Sequence, residues 1–163
     1  MQNTEWFRRV MSRYPSGVTV VTGRDPAGRA VGFTASAVSS VSLHPPLVLV
    51  CADRGSASLP VLVEGGRFAV SFLRAEHVEL ARRFSADLPG ERFRELRVTD
   101  TPAGLPVLEG ALAWTGCRVW KCVDAGDHVI LIGEVVDYGL GADGSPLVFF
   151  GSGYGTFADI PKD

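Results

Sequence analysis

The first periodic signal in the chain is helical. Phe7, Val10, Met11 and Tyr14 fall at i, i+3, i+4 and i+7, which predicts an amphipathic helix over residues 4 to 14. Asn3 or Thr4 caps it and Pro15 stops it. From there the pattern turns to β. GVTVVTG (17–23) and AVGFTAS (30–36) flank the turn sequence RDPAG and predict a hairpin. LVLVCA (47–52) is a short, fully apolar strand, and RFAVSFL (67–73) alternates around Phe68, Val70 and Phe72. Two helical pieces interrupt the strands. Residues 58–64 take Ser58 as cap with Pro60 in the first turn, and residues 76–84 set His77, Leu80, Ala81 and Phe84 on one face. Residues 86–106 are rich in Pro, Gly and charge and predict a long surface excursion, either functional or disordered. Two long β-rich segments follow, 111–123 and 128–138, separated by VDAGD, with Gly116 a candidate bulge. Strands outnumber helices and no connection reads as βαβ. The expected architecture is a mainly antiparallel β-barrel with a few short helices.

Bulk properties narrow the function classes. A chain of 163 residues with 46% hydrophobic and 21% charged content fits one globular domain over 1–163. The formal charge is -2 and the pI near 5.9, without a basic stripe, so a nucleic-acid partner is not expected. No apolar run reaches the roughly 20 residues of a membrane helix, and MQNTEWFRRV is too polar for a signal peptide. Cytoplasm is the expected compartment. Cys51, Cys117 and Cys122 are odd in number and form no CxxC pair, and His44, His77 and His128 are scattered, so no metal site is expected.

Four segments bear on chemistry. In VGFTASAVSSVSLHPPLVLVC (31–51), two β-like runs are joined by small residues and a Pro-Pro step. Thr34, Ser36, Ser39, Ser40 and Ser42 supply five hydroxyls within nine residues. Small side chains let a ligand approach backbone N–H and C=O groups, although a Ser-rich connection has the same composition. CADRGSASLP (51–60) runs from a strand through a Gly/Ser loop into a helix. It reads as a phosphate cradle with Ser56 and Ser58 beside free N–H groups, or as an ordinary capped helix. Arg82 and Arg83 end the next helix, where they add charge to an anion site or simply complement the dipole. In AGDHVILIGEV (125–135), His128 stands at the mouth of an apolar strand, suited to a phosphate, carboxamide or proton, or to a structural bond. FFGSGYGTF (149–157) lacks the G-x-G-x-x-G spacing of a dinucleotide fingerprint. No nucleophile elbow, Walker loop or H-E-x-x-H is present.

In order, YPSGVTVVT, GFTASAVSSVSLHPPLVLVC, RFAVSFL, ARRFS, GDHVILIGEV and PLVFFGSGY resemble the flavin reductase-like, FMN-binding split-barrel family over roughly residues 5 to 157. The resemblance is greatest to short-chain NAD(P)H:flavin oxidoreductases, the small components of two-component monooxygenases. It implies a Greek-key-like split β-barrel and a homodimer with flavin in a groove beside the interface. The cofactors it implies are FMN or FAD with NADH or NADPH, and the partner is a flavin-dependent monooxygenase. It further implies that Thr34, Ala35, Ser36, Ala37, Ser40 and Val41 line the flavin, while Cys51, Ala52 and Asp53 offer backbone contacts to the ring edge. Ser56 and Ser58 match positions near the phosphate, with Arg83, Phe84 and Ser85 on a second stretch beside it. His128 matches the nicotinamide-associated histidine, the single candidate catalytic residue, and Tyr154 the C-terminal aromatic. Val38, Asp53 and Gly153 depart from the family pattern, which leaves the Asp53 side chain without an assigned role. A non-catalytic flavin-binding or electron-carrier protein on the same barrel is the alternative, and the GDH histidine favours the enzyme.

Overall fold

The computed structural model describes residues 4–86 and 88–160. In chain order the elements are α1 (Thr4–Met11), β1 (Ser16–Gly17), β2 (Thr19–Arg24), β3 (Ala30–Ala35), β4 (Val38–Leu43), β5 (Pro46–Asp53), α2 (Ser58–Gly65) and β6 (Arg67–Phe72). A 3-10 turn (Ala75–His77) leads into α3 (Val78–Ala86), followed by β7 (Val98–Asp100), β8 (Pro106–Leu108), β9 (Ala113–Ala125), β10 (His128–Leu140), β11 (Leu147–Phe150) and β12 (Gly153–Thr156).

Seven strands form one antiparallel, barrel-like sheet in the order β3-β2-β6-β9-β10-β5-β4. The expected hairpin is present, with Thr19 opposite Ala35 and Arg24 opposite Ala30. β2 does not alternate because both of its faces are buried. Val21 enters the barrel core with Phe33, Val50, Leu62, Phe68 and Leu131, while Val20 enters a second core with Leu73, Ala81, Phe84 and Leu147. Burying a side chain of this size contributes about 1.5–3 kcal/mol, so a strand with two buried faces reads as an unbroken apolar run.

Three expectations change on contact with the structure. The segment after β3 is not a plain connection: residues 38–43 form β4, paired to β5. Ser58 does not cap α2. Ala57 occupies the cap position without a side-chain bond, and the buried Ser58 hydroxyl donates to Gly32 O at 3.2 Å. Near Gly116 the ladder slips between Val135 and Asp137, so the extra residue, Val136, belongs to β10 rather than to Gly116's own strand.

Residues 88–106 of the long excursion are structured, and Asp87 lies outside the described residues. Phe93 packs edge-on against Phe84 with ring centroids 4.9 Å apart, and β7 pairs with β8. α1, by contrast, ends at Met11 rather than at residue 14 and buries no residue, leaving Phe7, Val10 and Met11 exposed, as is Tyr14 beyond its end. Of its two candidate caps, Asn3 lies outside the described residues.

Candidate functional site

β3 and β4 are consecutive in the chain yet lie at opposite edges of the seven-strand order. The link between them, Ser36 and Ala37, therefore crosses the seam where the sheet fails to close. On one side of it, Cys51 N donates to Ala37 O at 3.0 Å, extending the β4–β5 ladder one residue beyond the Val38–Val50 pair. Beside this seam lies a cavity of about 490 Å3, lined by Phe33, Thr34, Ala35, Ser36, Ala37, Cys51, Asp53, Gly55, Ser56, Phe84, Ser85, Arg92 and His128. That volume is in the range of small-molecule sites.

One wall is strand and turn. The Asp53 carboxylate accepts Gly55 N at 2.6 Å and its carbonyl accepts Ser56 N at 3.0 Å, so the side chain that lacked a role closes the turn after β5. Arg54 ties this turn to the β9–β10 turn. Its backbone N donates to Asp127 O at 3.0 Å, its Nε to Gly126 O at 2.8 Å, and its guanidinium pairs with Asp124 at 2.7 Å. His128 then starts β10 directly opposite Asp53. Its Nδ1 lies 2.7 Å from the Asp127 carboxylate, and that hydrogen bond, followed by the imidazole charge, holds the Asp127 carboxyl below its ordinary range.

The other wall is α3 and the excursion. The Thr34 hydroxyl donates to Ala81 O at 2.7 Å, fastening β3 to α3. Ser85 donates to Arg82 O at 2.8 Å. Arg92 Nη1 donates to Gly32 O at 2.7 Å. Gly32 is a forced small residue: an added Cβ would lie 2.5 Å from Val21 O and 3.3 Å from the Phe84 ring.

Of the expected residues, Thr34, Ala35, Ser36, Ala37, Cys51, Asp53, Ser56, Phe84, Ser85 and His128 converge on the cavity. The others do not line it. Ser40 and Val41 are exposed on the edge strand β4, the Ala52 side chain is buried in the barrel core, and Ser58 is held at Gly32. The Arg83 guanidinium donates to Glu91 O at 3.0 Å and to Arg94 O. Tyr154 packs on Phe149 with ring centroids 5.4 Å apart, and the Arg82 guanidinium lies 5.8 Å from its centroid. Phe33, Gly55 and Arg92 were not anticipated. Gly55 lay within the Gly/Ser loop already singled out, whereas Arg92 carried no signal within a charge-rich excursion.

The Ser56 hydroxyl is buried without a hydrogen-bond partner, an arrangement that costs free energy unless a ligand supplies one. Arg92 and Ser85 line the same cavity. At its other part the lining is small side chains and main chain, from Thr34 to Ala37 and at Cys51. A polar-edged planar ring carrying a phosphate matches this division of donors. Among the described residues, no three His, Cys, Asp or Glu are placed to hold a metal ion, and no helix is long and apolar enough to cross a membrane.

Residues 11–158 match the flavin reductase like domain, and the chain belongs to that family. It is 38% identical to a flavin reductase of Pseudomonas putida over 156 residues, 96% of this chain and 91% of the relative. Nitrilotriacetate monooxygenase component B from Mycobacterium thermoresistibile superposes with a TM-score of 0.92 at 30% identity, covering 99% of this chain and 92% of that one. The NADH:FAD oxidoreductase SgcE6 of Streptomyces globisporus, in complex with NAD and FAD fragments, superposes with a TM-score of 0.89 at 33% identity, covering 96% and 94%.

Proposed function

We propose that this chain, acting as one domain, is an NADH- or NADPH-dependent flavin reductase that supplies reduced FMN or FAD to a flavin-dependent monooxygenase. The observation that carries the reading is the cavity at the open seam, with main chain on one wall and the unpaired Ser56 hydroxyl in the same lining as Arg92. Family membership and the relatives' names support the chemistry. A bound flavin supplies a ring that accepts a hydride from reduced nicotinamide.

The chain's own residues bind and orient. Ser36, Ala37 and Cys51 present main chain to the ring edge, and Ser56, Ser85 and Arg92 face the phosphate. Phe84 and Phe33 exclude water from the wall between them. His128, at the rim, orients the nicotinamide nucleotide, and Arg54 fixes the turn from which it projects. No side chain has to act as general acid or base, because ring alignment is what the protein contributes. The working form is a cytoplasmic homodimer. Support comes from the exposed apolar face of α1, where a groove of about 440 Å3 lined by Phe7, Met11, Tyr14 and Phe149 meets the cavity at Ser36 and Ala37.

The test is disappearance of reduced-nicotinamide absorbance with FMN, FAD or riboflavin added in turn to the purified chain. Flavin binding without oxidation of either NADH or NADPH would leave a carrier and overturn the reductase reading. A monomer mass in light scattering at micromolar protein would overturn the dimer.

A further inference from the structure

β9 and β10 are joined by two residues, Gly126 and Asp127, with Ala125 paired to His128. Gly126 takes a φ of +67°, the left-handed conformation that glycine supplies at the first position of such a hairpin turn. The turn is also held from outside, because Arg54 donates to the carbonyls of both Gly126 and Asp127. Three acidic residues lie near this turn or opposite it, and two are committed elsewhere. Asp53, facing His128 across the β5–β10 ladder, is turned onto Gly55 N at 2.6 Å, and Asp124 pairs with Arg54 at 2.7 Å. Asp127 alone is given to the imidazole, its Oδ1 lying 2.7 Å from Nδ1. Among the described residues, this is the only hydrogen bond of the His128 ring. Arg8 on α1 also acts on the Asp127 carboxylate, but only through its charge and less than the His128 bond does.

We propose that Asp127 is a positioning residue for His128: its carboxylate keeps the ring hydrogen on Nδ1 and so presents Nε2 as a hydrogen-bond acceptor to the nicotinamide nucleotide. The proposal rests on the reductase reading above. An ionised carboxylate only accepts hydrogen bonds, so the nitrogen that faces it must carry the hydrogen. In the neutral ring the other nitrogen is then bare. Without that carboxylate both tautomers are open to a partly exposed ring, and the ring turns freely about its side-chain bonds. The acceptor would then be offered only part of the time. The N–H and O–H groups of a nicotinamide nucleotide, on its carboxamide and riboses, are the donors that such an acceptor matches. Asp127 touches no ligand atom in this assignment and acts through the imidazole.

The test uses the full chain. Nitrogen NMR at mildly alkaline pH should show the His128 ring with hydrogen on Nδ1 and a bare Nε2, and Asp127→Ala should move the population toward the opposite tautomer. In steady-state assays with saturating flavin, Asp127→Ala should raise the KM for NADH roughly threefold, the scale of one exposed hydrogen bond. Its kcat, flavin affinity and melting temperature should change little. Asp127→Asn, whose side-chain oxygen still accepts from Nδ1, should keep KM within about 1.5-fold of the unaltered value. In the His128→Ala background, Asp127→Ala should add less than about 1.5-fold, because its effect passes through the ring. A bare Nδ1 in the unaltered chain, an Asn variant as impaired as the Ala variant, or losses that multiply in the double variant would overturn the assignment. Failure of the unaltered chain to oxidise NADH or NADPH with any flavin would instead sink the reductase reading, while the NMR tautomer still tests the hold of Asp127 on the ring.

Discussion

The two walls of the cavity are held by different forces. The β3–β5 wall belongs to a seven-strand ladder, so its strand residues are placed by backbone bonds to neighbouring strands. The α3–excursion wall has no such ladder. It is placed by the Phe84–Phe93 contact and by side chains reaching backbone carbonyls: Thr34 to Ala81, Arg92 to Gly32, Arg83 to Glu91 and Arg94. The ladder wall is therefore robust to single side-chain changes, while the second wall concentrates its stability in a few of them.

The largest effect should come from Phe84→Ala. This ring is fully buried, and its removal should cost about 3–5 kcal/mol in urea unfolding. A loss under 1 kcal/mol would show that the second wall is not held by its core contact.

Inside the barrel, where Cys117 of β9 is buried with Phe68 and Leu131 rather than on the cavity wall, the corresponding probe of the ladder is alkaline pH. Burial pushes the Cys117 thiol from 9.0 up to about 11. The folded chain thus keeps its proton where the unfolded chain gives it up. The stabilisation is full below pH 9, erodes as pH rises past it and is gone by about 11, a loss of roughly 2 kcal/mol. Cys117→Ala should flatten that slope, and an unchanged slope would assign it to other groups.

Serines 56 and 58 sharpen the contrast further. Ser56→Ala should weaken FMN by about 2 kcal/mol without lowering the melting temperature. Ser58→Ala, which removes the bond to Gly32 O, should lower stability by about 1 kcal/mol with less effect on affinity. Reversed outcomes would return Ser58 to the ligand and Ser56 to the loop.

The smallest effect belongs to the rim. His128 is 40% exposed, so His128→Ala should leave the melting temperature nearly unchanged and raise the KM for NADH roughly fivefold, the scale of one neutral hydrogen bond. It should also return the Asp127 carboxyl to its ordinary range in an NMR titration, since His128 is the main cause of its depression. A stability loss with unchanged NADH kinetics would make His128 structural.

The contrast also explains what could be read in advance. β6 announced itself by apolar residues at strand spacing, β5 by a short apolar run, and β2 and β3 by β-rich stretches flanking a turn sequence. β4 did not, because Ser39, Ser40 and Ser42 on a sheet edge have the composition of a loop. Thr34 to Ala37, Cys51 and Ser56 were legible through small residues and family resemblance. That same resemblance extended the expected lining to Ser40 and Val41, on a strand outside the cavity lining. Arg92 was illegible for a physical reason. An arginine that bridges to a carbonyl 60 positions away leaves no local trace, and its neighbours in the excursion resemble any solvated loop. Ser58 looked like a cap because caps are local, whereas its actual acceptor, Gly32 O, is 26 positions distant.

The seam between β3 and β4 has a consequence for how this site can vary. At Ser36, Ala37 and Cys51, what faces the proposed ring is largely main chain, and every residue type except proline brings the same N–H and C=O. Exchanging those side chains leaves the grip in place, so that half of the site is almost inert to point mutation. It changes character only when a turn gains or loses a residue. The arginine half is the reverse, since one codon at position 92 alters its charge. Drift and selection therefore act on the two halves at different rates: the ring contact is inherited with the fold, and preference among ligands bearing that ring is free to be retuned one substitution at a time.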